Sequence, residues 1–101
     1  MNLVIIRMNA LSEKRMELTQ ALSSLICSIR MEMGCLRCDF CRSIEDENRF
    51  LLLEEWDTKE NLMTHLNSEC YKVLSGAMTL LKEPCESMFY TVLHPEMIEE
   101  V

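Results

Sequence analysis

Three side chains have the chemistry to handle a small organic molecule: Trp56, His65 and Asn9. An imidazole takes up or gives a proton near neutral pH, and an indole N–H donates to a ligand oxygen. His65 stands beside Leu62 and Leu66 in a helical pattern, at the margin of its buried face, and Trp56 ends the strand pattern before it. The two could meet at one end of a pocket. The plainer alternative is that His65 stabilises the helix and Trp56 is core. Asn9, at the end of the first strand pattern, could polarise a carbonyl or simply serve a turn.

Other groups are weaker candidates. Cys35-x-x-Cys38-x-x-Cys41 has the spacing that opens an iron–sulfur motif, but such ligands curl around a cluster in a loop. Here they fall in a strand pattern that sets Cys35 and Cys41 on one face and Cys38 on the other. The outer pair is then roughly 20 Å apart at ~3.3 Å per residue. Small apolar thiols and no metal are the expectation. Glu54 and Glu55 are strand neighbours, so they point to opposite faces and cannot serve one substrate atom together. With Gly34 and Gly76 the only glycines, there is no glycine-rich phosphate loop.

The elements that must position these residues follow from periodicity. A β-branched run over residues 3–8 reads as a strand. Ser12 is placed to cap a helix of about five turns at 3.6 residues per turn, with Leu18, Leu22, Leu25, Ile26 and Ile29 on its apolar stripe. Cys35–Arg42 and Arg49–Trp56 read as strands joined by the polar turn Glu45-Asp46-Glu47-Asn48. Asp57 and Glu60 have the spacing of a capping box for the next helix. Ser68 opens a further helical stretch that Pro84 stops, and Glu86–Leu93 is the last strand. The order βαββαβ predicts an α+β, ferredoxin-like antiparallel sheet with helices on one face.

The chain has 101 residues, enough for a single domain, with a core over about 2–93 and a short acidic tail at 94–101. A net charge of −7 with scattered basic residues argues against nucleic acid. No run approaches the roughly 20 apolar residues of a bilayer span, and the N-terminal apolar stretch is too short for a signal peptide. A cytoplasmic protein with its six cysteines reduced is the expectation. Strands one, three and four are apolar on both faces: Leu3/Ile5 and Val4/Ile6, Phe50/Leu52 and Leu51/Leu53, Met88/Tyr90/Val92 and Phe89/Leu93. Helices on one side leave the second face bare, so a homodimer through the sheet face is expected.

Gly34-Cys35-Leu36, then Arg49-Phe50-Leu51-Leu52-Leu53-Glu54-Glu55-Trp56, then Leu62-x-x-His65-Leu66-x-x-Ser68 resembles the antibiotic biosynthesis monooxygenase (ABM) domain family. The resemblance implies a dimeric α/β barrel with a pocket between sheet and helices. It implies oxidation of a small aromatic substrate (phenolic, quinol or anthrone-like) by dioxygen without metal or flavin, because an electron-rich phenolate can itself reduce dioxygen. In that reading His65 is the base or proton relay, and Asn9 and Trp56 donate to substrate oxygens. Haem-degrading relatives carry a ligating His after the second helix; here Val73-Leu74-Ser75 stands there. Some relatives have no demonstrated activity, so the alternative is a non-catalytic dimeric binding or regulatory module of the same fold.

Overall fold

The computed structural model describes residues 1–93 and 96–97, so most of the expected acidic tail lies outside the described residues. Four strands, β1 (Asn2–Asn9), β2 (Cys35–Arg42), β3 (Arg49–Trp56) and β4 (Glu86–Thr91), form one sheet in the order β2-β3-β1-β4. Every neighbouring pair is antiparallel. Helix α1 (Arg15–Arg30) links β1 to β2, and α2 (Lys59–Leu66) and α3 (Glu69–Ala77) link β3 to β4. This is the α+β, ferredoxin-like arrangement that the sequence predicts.

Strand alternation sorts the sheet into two faces. Val4, Ile6 and Met8 of β1 and Phe50, Leu52 and Trp56 of β3 are buried under the helices, against the α1 stripe of Leu18, Leu22, Leu25, Ile26 and Ile29. On the opposite face Leu3, Ile5, Leu51 and Leu53 are half-buried, and Met88 and Tyr90 are 39 % and 42 % exposed. Ion pairs Arg7–Glu86 (3.6 Å) and Arg37–Glu55 (3.5 Å) border this apolar patch. No helix among the described residues is long and apolar enough to cross a membrane.

Several local expectations are corrected. Ser12 does not cap α1: the chain enters through a 3-10 turn at Ser12–Lys14, and the Ser12 hydroxyl accepts from Asn48 Nδ2 at 2.9 Å instead. Thr58, not Asp57, caps α2, with its hydroxyl accepting from the Asn61 N–H at 3.1 Å. Asp57 is occupied by the Thr58 N–H and by Asn61 Nδ2, so the helix begins one residue later and Glu60 falls out of capping-box register. Ser68 does cap α3, accepting from the Tyr71 N–H. β1 is one residue longer at each end than the apolar run, and β4 ends at Thr91, short of Leu93.

A β-bulge between Cys35 and Arg37 overturns the expected placement of the thiols. An extra residue in one strand reverses the facing of everything before it. Cys35 therefore pairs with Trp56 and Cys38 with Glu54, both on the helix face, while Cys41 opposite Leu51 is alone on the open face.

Candidate functional site

Trp56 and His65 meet as expected, but as a sealed stack. Trp56 ends β3 on its buried face, and His65 lies one turn after Leu62 on the inner side of α2, so the sheet end and helix bring the rings together. Their centroids are 4.5 Å apart at 25°, and the two residues are 0 % and 1 % exposed. The Tyr71 ring of α3 meets His65 edge-on at 5.5 Å.

Two carboxylates complete the group. Glu54, two residues before Trp56 and on the same face, is 1 % exposed and accepts from Trp56 Nε1 at 2.9 Å. Its Oε1 also lies 3.2 Å from His65 Nε2. That contact is out of line for a directed hydrogen bond, so Nε2 and Glu54 Oε2 are left without hydrogen-bond partners. We read it as a charge contact. Glu32, in the turn after α1, sets both carboxylate oxygens 3.1 Å from His65 Nδ1.

Electrostatics follow from this packing. Burial alone lowers the affinity of His65 for a proton, but the contacts and charges of the Glu54 and Glu32 carboxylates together outweigh it and raise the pKa above the ordinary imidazole value. Burial, then the Glu54 charge, pushes the Cys38 thiol up to about 12. Cys35 is raised by burial and then by Glu54, and Cys70 by burial and then by Glu32. These thiols stay protonated near neutral pH and are poor nucleophiles. Tyr71 is raised by burial and next by Glu54.

Asn9 is elsewhere. Asn2 pairs with Trp56 and Asn9 with Arg49, so Asn9 stands seven residues along β1, roughly 23 Å away at about 3.3 Å per residue. Its Nδ2 donates to Glu83. Asn9 instead lines a cavity of about 600 Å³ at the far end of the sheet, with Arg7, Arg42, Arg49, Leu51 and Glu83 among the other walls. Neither Trp56 nor His65 lines it. The pocket implied between sheet and helices is, around this pair, filled by side chains.

Sequence reasoning missed Glu32, and it weighed Glu54 only as a partner of Glu55 and set it aside. A signal for Glu54 exists: the alternation Phe50, Leu52, Glu54, Trp56 puts a carboxylate at a core position of β3. Glu32 carries none, because only the fold brings the turn after α1 onto α2.

Comparison with known proteins adds a family. The sequence matches the profile described as "Antibiotic biosynthesis monooxygenase" over residues 1–75. No curated protein matches the chain by sequence. Among solved structures it is similar to a candidate antibiotic biosynthesis monooxygenase of Deinococcus radiodurans (TM-score 0.89, 22 % identity, covering 99 % of this chain and 100 % of that one). It is also similar to a conserved protein of Methanosarcina mazei (0.84, 24 %, 88 % and 89 %) and a protein of Pseudomonas aeruginosa (0.81, 26 %, 92 % and 94 %).

Proposed function

The chain belongs to the antibiotic biosynthesis monooxygenase family, and from that premise we propose that it is a monooxygenase acting on a small phenolic, quinol or anthrone-like molecule with dioxygen. The observation that carries the reading is the cavity of about 600 Å³ lined by Asn9, within the size range of small-ligand sites. Leu51 and Pro84 are among its apolar walls, and Arg7 and Arg49 bring guanidinium groups that face Glu86 at 3.6 Å and Asp46 at 3.8 Å. A phenolate held there is stabilised by the guanidinium groups while it passes electrons to dioxygen. One oxygen atom enters the product, the other leaves as water, and the substrate supplies the electrons, so the scheme calls for no metal or flavin.

The same reading includes a second copy of the chain. Arg7, Asn9, Arg49 and Leu51 belong to the open face by strand alternation, so a partner seated on Leu3, Ile5, Leu51 and Leu53 would also roof the cavity.

The test is oxygen uptake by chelator-treated protein with a panel of quinols and anthrones, with isotopically labelled dioxygen to follow the transferred atom. The expected result is uptake above that of the Asn9→Ala variant, which alters the cavity wall, with one labelled atom in the product. Equal rates would sink the proposal. A second reading, a non-catalytic binding or regulatory module, is favoured by the burial of Trp56 and His65. It expects ligand binding in the cavity without oxygen uptake.

A further inference from the structure

We infer that Glu32 and Glu54 are positioning residues that hold His65 as an imidazolium stacked on Trp56, so that near neutral pH the ring is a proton donor and not a base. The charge state of the ring does not rest on the monooxygenase reading above, whose cavity neither ring lines.

The inference comes from counting donors. Each ring nitrogen of His65 faces a carboxylate, Nδ1 at 3.1 Å from both oxygens of Glu32 and Nε2 at 3.2 Å from Glu54 Oε1. A neutral imidazole carries one N–H, so either tautomer turns a lone pair toward a carboxylate oxygen. Only the doubly protonated ring presents N–H to both sides. The His65 side chain is 0 % and that of Glu54 1 % exposed, so water does not relieve the mismatch. The buried Glu54 and the partly exposed Glu32 carboxylates repel when brought together without a cation, and among the described residues His65 is the one cationic group within ion-pair distance of either.

Other groups around the ring do not supply that charge. From α3 come Tyr71, edge-on to the ring, and Cys70. From β2 come Cys35 and Cys38, whose thiols are kept protonated. The nearby Arg30 guanidinium is turned to Asp39 and to the Cys38 carbonyl. Glu54 has a second duty, since the oxygen that faces His65 also accepts the indole N–H of Trp56. The carboxylate thereby fixes both rings of the stack. Loss of the proton leaves one ring nitrogen facing a carboxylate without an N–H to offer it.

Trp56 is the only tryptophan, so its fluorescence reports on the ring stacked against it. An imidazolium accepts an electron from excited indole better than imidazole does, so emission rises as His65 loses its proton. The experiment titrates Trp56 emission with pH, together with the nitrogen-15 resonances of the imidazole, using His65→Asn for assignment. The expected midpoint is raised from the ordinary imidazole value and lies above neutral pH. Glu32→Gln and Glu54→Gln each lower it, and Glu32→Asp keeps it close to the parent value. A midpoint at or below neutral pH, or one that neither glutamine variant moves, overturns the inference. If Glu54→Gln fails to fold, Glu32→Gln decides alone, because that side chain is 22 % exposed and sits in a turn. The titration uses no substrate. Failure of oxygen uptake with the titration as expected rejects the monooxygenase reading and leaves the charge assignment standing; the reverse pattern rejects only the assignment.

Discussion

Replacing His65 removes the cation that faces the buried Glu54 and the partly exposed Glu32, and the cost depends on pH with a definite sign. Its folded pKa is raised above 6.5, so the folded state binds the proton more tightly than the unfolded chain does. The stabilisation is fully present below pH 6.5 and fades as pH rises through the folded value. In denaturant unfolding at a series of pH values, the advantage of the parent over His65→Asn should therefore be largest in mild acid and shrink in alkali. A residual advantage from packing against Trp56 remains throughout. An advantage that instead grows as pH rises through 6.5 would mean that the ring is neutral in the fold. Asn9 had the same standing in the sequence as His65, yet its amide is turned to Glu83 at the other end of the sheet. Composition and spacing could not separate the two, because strand direction alone decides which end of β1 meets Trp56.

At the scale of elements, the entry to β2 is the most constrained point. Gly34 has φ +88°, a left-handed conformation that glycine adopts without penalty. Its carbonyl accepts from the Asp57 N–H at 3.0 Å, which ties the start of β2 to the start of α2. A Cβ placed there would meet Asn61 Nδ2 at 2.5 Å and would also overlap Asp57 Oδ1. Gly34→Ala should destabilise by at least the ~1–2 kcal/mol that a left-handed L-residue costs, with the overlap adding to it. Gly76, in α3, has open space where its Cβ would be, and Gly76→Ala should stabilise by about 0.4–1 kcal/mol. Opposite shifts in unfolding midpoint are the check; equal shifts would contradict the geometry. Strands β2 and β3 were legible to the residue because their apolar patterns are bounded by turn residues. The bulge after Cys35 was not. It follows from how β2 accommodates its crossing to β3, and no residue type announces it.

Across the whole molecule, the two faces of the sheet have different fates. The helix face is closed by α1, α2 and α3, whereas the open face sets Ile5 beside Leu53 and Met88 in register. If a second copy covers it, Leu53→Glu places a charge at the centre of a dry interface and should yield monomers in analytical ultracentrifugation, where the parent chain sediments as a dimer. A parent chain that sediments as a monomer would contradict that arrangement. The sequence alone determined the order of elements, the amphipathic stripe of α1 and the apolar character of both sheet faces, since all three are written in local periodicity. Tertiary structure alone decided the chemistry of the buried site. Glu32 and His65 are 33 residues apart in the chain, and Glu54 reads locally as one of a pair of strand carboxylates. Only the packing of α2 and the turn after α1 against the end of β3 excludes water from His65 and Glu54 and brings Glu32 onto the ring, and the low dielectric of that enclosure favours a charge on His65 that answers the carboxylates.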